Sequence, residues 1–173
     1  MPTCPRCAAV ALVLLFVAFS GCDTNNGGSG TLGDLADVYT LTELRFEPEA
    51  EALEDADLGA RLIADGQSSL EIFADRDDFA LLRTPETGRT DLEVRVLSNA
   101  VELTAVTAQD EDDLDELFLP RTFRLNFTSP RSSVLRAEPA LFLTTVNLQA
   151  FDPDRYQGLT AVRGRLFIAF ERP

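Results

Sequence analysis

The chain contains no histidine and no tryptophan, only one methionine and only three cysteines. Lysine is missing as well, so all 15 basic residues are arginine. Each gap excludes a chemistry. Without histidine there is no imidazole to carry protons near neutral pH, no Ser-His-Asp triad and no imidazole metal ligand. Without lysine there is no Schiff base and no amine to cradle a phosphate. No glycine-rich phosphate loop is present either, and no cofactor is expected. Against the arginines stand 29 acidic residues, giving a formal charge of −14. Such a surface opposes nucleic-acid binding, which needs cations to displace the counterions of phosphates. It also opposes docking by charge onto anionic lipid. Carboxylates are plentiful enough for a glycosidase pair, yet no pair stands out, and most occupy runs that read as solvated turns. The sequence therefore predicts a protein that is not an enzyme.

The cysteines are informative by position. Cys4-Pro-Arg-Cys7 has CxxC spacing, but no second pair and no histidine follow it, so no metal site is expected. Cys22 closes the run Phe19-Ser20-Gly21-Cys22. Ahead of it lie Arg6 and an unbroken apolar stretch, Ala8 to Phe19. As a helix that stretch reaches about 18 Å, short of the ~30 Å hydrocarbon core, which suits a cleavable signal and not a permanent span. This order of parts resembles a bacterial lipoprotein signal with its lipobox, Phe19 standing where an aliphatic residue is usual. The resemblance implies cleavage after residue 21 and a diacylglycerol on the Cys22 thiol. It places the protein in the cell envelope, held to a membrane at its periplasmic face or at the cell surface. Residues 22–32 (Asp23-Thr24-Asn25-Asn26-Gly27-Gly28-Ser29-Gly30 at their centre) then read as a flexible tether. Residues 33–173 read as one β-rich domain without a cysteine of its own, so packing alone must hold it. A lysine-free acidic surface also resembles proteins of salt-loving organisms, in which high ionic strength screens self-repulsion.

Beyond the tether, short apolar runs alternate with turn residues. Val38 to Phe46 has period two, placing Val38, Leu44 and Phe46 on one face with Thr40 and Thr42. Leu70-Glu71-Ile72-Phe73 follows the Asp65-Gly66 turn, and Asp75-Arg76-Asp77-Asp78 separates it from Phe79-Ala80-Leu81-Leu82. Leu92 to Val96 and Val101 to Ala105 alternate strictly, with Ser98-Asn99 as a hairpin turn between them. Phe123 to Phe127, Ser133 to Arg136, Leu143 to Leu148 and Thr160 to Phe170 complete nine candidate strands. Period two with polar residues between marks antiparallel strands that bury one face. Two segments read instead as short helices. Pro48 to Leu62 offers proline for a first turn and an end near Gly59. Gln109 to Phe118 sets Leu114, Leu117 and Phe118 at helical spacing behind an acidic cap.

A strand-rich chain with a helical insertion after the first strand resembles lipocalin-like barrels in outline. The resemblance implies an all-β, mainly antiparallel up-and-down barrel. It also implies an arginine of the last strand packed over the first-strand aromatic. Tyr39 is that aromatic here, and Arg163 and Arg165 are the last-strand arginines. Gly33 stands six residues before Tyr39, so the Gly-x-Trp of those families is not matched. A two-sheet β-sandwich is the alternative fold.

The acidic run Asp110-Glu111-Asp112-Asp113-Leu114-Asp115-Glu116 invites calcium, which takes several oxygen ligands from a flexible loop. Counted from Asp110, the fifth position is Leu114 and the sixth is Asp115, not glycine, so the run reads as a solvated cap. Two functions fit the whole. A binding module would hold a small hydrophobic ligand in a cavity lined by Phe46, Phe79, Phe123, Phe127, Leu166 and Phe170. Alternatively, those side chains fill a solid core, and a structural or assembly protein presents a sheet face or edge to an envelope protein partner. A cavity of about 300 Å³ or more separates the two.

Overall fold

The computed structural model describes residues 31–64, 68–76 and 78–173. The signal, Cys22, the tether up to residue 30, the Asp65-Gly66 turn and Asp77 lie outside the described residues. In chain order the elements are α1 (Leu32–Leu35), β1 (Asp37–Pro48), β2 (Ala56–Asp57), α2 (Ala60–Ala64), β3 (Ser69–Ile72), β4 (Phe79–Thr84), β5 (Gly88–Val96), β6 (Ala100–Ala105), α3 (Ala108–Glu116), β7 (Thr122–Asn126), β8 (Val134–Arg136), β9 (Leu141–Val146), α4 (Leu148–Phe151) and β10 (Val162–Glu171). All pairings are antiparallel, in the order β2-β1-β3-β4-β5-β6-β7-β8-β10-β9. β1 pairs β10 along the sequence-distant seam Thr40–Pro48 against Gly164–Glu171, which closes eight of the ten strands into a barrel. This is the up-and-down barrel expected, and the sandwich alternative falls away. The two remaining strands flank the closing seam, β2 on β1 and β9 on the first half of β10.

Alternation in the sequence explains most of the wall. Leu70 and Ile72, Leu92 and Val94, Val101 and Leu103, and Phe123 and Leu125 all turn inward to one core. Leu97 N–H donates to the Ala100 carbonyl at 2.8 Å and closes the Ser98-Asn99 hairpin. In β1 the expected face is only half right. Pairing with β10 slips between Leu41 and Glu43, so one residue is bulged and the inward parity switches. Before the bulge Tyr39 and Leu41 are buried; after it Leu44 and Phe46 are. Val38 therefore faces outward, 42% exposed.

The helix expected over Pro48 to Leu62 gives way to other structure. β1 runs through to Pro48 because Gly164 of β10 pairs there. Ala56 and Asp57 then pair with Phe46 and Arg45 as β2. The helix forms later, as α2, which Gly59 lets approach β1 closely: its N–H donates to the Leu44 carbonyl at 2.7 Å. A Cβ on Gly59 would sit 3.2 Å from that same oxygen. The acidic helix is present as α3, and Leu148, placed in a strand by pattern, opens α4 instead.

Candidate functional site

Five of the six proposed lining residues meet inside the barrel. Phe46, Leu166 and Phe170 are at most 1% exposed, Phe123 is 2% and Phe127 6%, and all join the central cluster. Phe79 does not. Its neighbour Ala80 turns inward, so the Phe79 ring lies on the other face of β4, 5.6 Å from Phe73 with Arg76 stacked nearby. The interior is occupied by large side chains. Tyr39, Phe46, Phe170 and a ring of leucines that includes Leu92, Leu103 and Leu135 are all below 2% exposed. An eight-stranded barrel is just wide enough for side chains to fill it. Three clefts open on the outside, and of the six residues only Phe127 borders one of them, a cleft of about 550 Å³ at the β7–β8 seam.

Tyr39 ties the chain before β1 to the chain after β10. Its hydroxyl donates to the Leu35 carbonyl of α1 at 3.0 Å and accepts from Arg172 at 2.7 Å. The Arg172 guanidinium also stacks 5.1 Å from the Tyr39 ring and lies 3.1 Å from the Asp37 carboxylate. Burial pushes the Tyr39 phenol above its ordinary value, against the opposing pull of Arg172. The arginine over the first-strand aromatic is thus Arg172, not Arg163 or Arg165. Antiparallel pairing is the reason: Thr40 faces Glu171, whereas Arg165 faces Glu47 at the far end of the seam.

The acidic run on α3 divides between two jobs. Asp110 and Asp113 are buried, 7% and 9% exposed, so the run is not wholly a solvated cap. The Asp110 carboxylate accepts from the Thr107 N–H at 2.9 Å, the Thr107 hydroxyl at 2.6 Å and the Asp91 N–H of β5 at 2.7 Å. Burial works to raise its pKa, but these hydrogen bonds and the nearby Arg89 outweigh it and hold the carboxyl below its ordinary value. Asp113 accepts from Gln109 at 2.9 Å and faces the Thr90 hydroxyl at 3.4 Å. Together these contacts latch α3 onto β5. Asp112, Asp115 and Glu116, one helical face by their spacing, point outward and are exposed.

That outward face is one wall of a cleft of about 910 Å³. β9 and α4 form the other wall, through Phe142 to Asn147, Ala150 and Phe151. The floor between them is shaped by the end of α3. Phe118 and Leu119 N–H groups donate back to the Asp115 and Leu114 carbonyls at 3.0 and 2.9 Å, a Schellman closure. Glycine usually takes the left-handed position of that motif, but Phe118 holds it here at φ 58°. A non-glycine residue there costs about 1–2 kcal/mol. In return its ring packs edge-on to Phe151, 6.3 Å between centroids, inside the cleft. Phe142 is 57% exposed and also borders a second cleft of about 680 Å³, with Glu49, Glu51 and Asp55 on its far side. No sequence pattern points to this site, because its apolar residues sit in a segment whose periodicity breaks at Thr144-Thr145.

No group of three or more acidic or cysteine side chains among the described residues is arranged to hold a metal ion, and none of the described helices is long and apolar enough to cross a membrane. The chain matches no family model, and neither a curated protein nor a solved structure is similar to it.

Proposed function

We propose that this is a lipid-anchored envelope protein, without catalytic activity, whose barrel is a rigid scaffold for an envelope protein partner. The observation that carries this reading is the contrast between inside and outside. The interior that a carrier would need for a small apolar ligand is taken up by Tyr39, Phe46, Phe170 and their leucine neighbours. The space available for binding lies instead on the outer wall, beside β9. The order of parts around Cys22, a basic start, a short apolar run and two small residues, supports export and lipid attachment. Several acyl chains on one cysteine hold a protein firmly to a bilayer where one would not. Membrane fractionation tests the anchor: the full chain partitions with membranes, and Cys22→Ser releases it. Retention of that variant in the membrane fraction overturns the anchoring half of the proposal.

A further inference from the structure

We infer that the free edge of β9, with the acidic cleft beside it, binds an extended segment of another envelope protein in which basic and apolar residues alternate, taken up as one more strand. The inference rests on the scaffold reading and names where and how the partner docks.

The first ground is the edge itself. β9 pairs with β10 on one side only, and among the described residues nothing pairs with its other side. In an antiparallel strand alternate N–H and C=O groups then point outward, a template for an incoming strand. Proteins normally blunt such an edge with charge, proline, a bulge or extreme shortness. The opposite end of this sheet follows the rule: β2 is two residues long and one of them is Asp57. β9 follows it only in part. Its pairing with β10 slips at Thr144-Thr145, but the sequence, Leu-Phe-Leu-Thr-Thr-Val, has neither charge nor proline, is rich in strand-forming residues, and keeps a regular edge over Leu141 to Leu143. Left bare, such a segment invites aggregation, so its persistence fits an edge that a partner covers.

The second ground is the charge around it. Asp112, Asp115 and Glu116 are exposed, and no arginine among the described residues lies within ion-pair distance of them. Asp115 and Glu116 also stand at the negative end of the α3 dipole, where acidic groups weaken a helix. Helix stability does not explain them; attraction of cations does. Phe142, exposed between this wall and the Glu49-Glu51-Asp55 cleft, supplies the apolar anchor. Strand residues alternate sides, so a segment of alternating composition sets its apolar side chains against Phe142 and the cleft floor, and its arginines or lysines toward the carboxylates. A second copy of this chain is disfavoured by a charge of −14 meeting its like.

The probe is a labelled ten-residue peptide of alternating arginine and valine, titrated by fluorescence anisotropy against the full chain purified in detergent. Three comparisons accompany it: a glutamate–valine peptide, the arginine–valine peptide N-methylated on alternate amides, and the combined variant Asp112→Asn, Asp115→Asn, Glu116→Gln. Binding of the arginine–valine peptide is expected. It should weaken about tenfold in the variant, which loses three screened charge contacts, and fall with added salt. The other two peptides should not bind. Circular dichroism checks that the variant, altered only at exposed positions, keeps its fold. Equal binding by the glutamate–valine peptide overturns the charge argument, and equal binding by the N-methylated peptide overturns strand addition. Sedimentation of the chain as a dimer that Phe142→Arg abolishes would assign the edge to a second copy. If no peptide binds while the protein stays membrane-anchored and empty of apolar ligand, this docking site is wrong and the scaffold reading stands; a bound lipid would instead remove the scaffold reading.

Discussion

Gly164→Ala is the sharpest probe of how tightly the barrel is packed at its closing seam. Gly164 lies inward on β10, paired with Pro48 of β1 and Leu143 of β9. A Cβ at this position would overlap the Glu47 carbonyl oxygen and the edge of the Phe46 ring. Its backbone does not require glycine, so space is the whole issue. The ring has little room to turn, being fully buried, and the carbonyl is held because Glu47 pairs with Arg165 in the ladder. Overpacking of this kind costs about 1–3 kcal/mol, and contact with backbone favours the upper half. Alanine returns about 0.5–1 kcal/mol by narrowing the unfolded ensemble. The net loss is about 2 kcal/mol, or about 8 °C in Tm at about 4 °C per kcal/mol. Thermal melts of the full chain read this directly. The double variant with Phe46→Leu should cost less than the two single changes added together, because the smaller side chain vacates the space that alanine needs. A Tm within 1–2 °C of the parent for Gly164→Ala (under about 0.5 kcal/mol on the same scale), or strict additivity in the double variant, refutes close packing of the Phe46 ring over this glycine.

Other consequences are as direct. Tyr39→Phe removes the hydroxyl that joins Leu35 to Arg172 and should cost about 1–3 kcal/mol in chemical denaturation, since it leaves buried polar groups unpaired. Because the folded-state Tyr39 pKa is raised, its stabilisation is full below the ordinary phenol value of 10.0 and is lost as pH rises toward the raised value; Tyr39→Phe should flatten that alkaline decline. Asp110 has the opposite sign. Its folded pKa lies below 3.8, so its contribution is present above that value and disappears as pH falls through the depressed one; Asp110→Asn should make the acid limb of a stability profile shallower. Phe118→Gly relaxes the left-handed position while deleting the ring. Helix content by circular dichroism should hold, and binding at the β9 cleft should weaken.

The sequence carried the fold well because strands write their period into it. Leu92 to Val96 and Val101 to Ala105 bury one face each, and the pairing Val94↔Leu103 follows from that and the Ser98-Asn99 turn. Features that depend on distant contacts were hidden. The β1 bulge flips Tyr39 and Leu41 inward only because β10 sets the register. Arg172 reaches Tyr39 for the same reason, since antiparallel closure brings the chain's last residues to the first strand. The segment from Pro48 on has helix-favouring composition, yet pairing of Pro48 with β10 and of Ala56-Asp57 with β1 outweighs a propensity worth tenths of a kcal/mol per residue. Buried aspartates were equally illegible, because Asp110 and Asp112 differ only in which side of α3 they occupy. Of the phenylalanines picked out by pattern, Phe46, Phe123, Phe127 and Phe170 gather inside the barrel, while Phe79 falls outside because its strand begins one residue out of phase with its inward set. The β9 cleft was invisible because it is assembled from α3, β9 and α4, none of which announces it alone.

The most direct test of a filled barrel on a lipid anchor is organic extraction of the full chain purified from its own membranes, with mass spectrometry of the extract and of the intact protein. The expected result is an acyl-modified chain starting at Cys22, with no apolar molecule recovered near one equivalent per barrel beyond the lipid that co-purifies with any membrane protein. A single apolar species at near one-to-one stoichiometry, retained through delipidating washes, would contradict the filled interior and return the protein to the carriers.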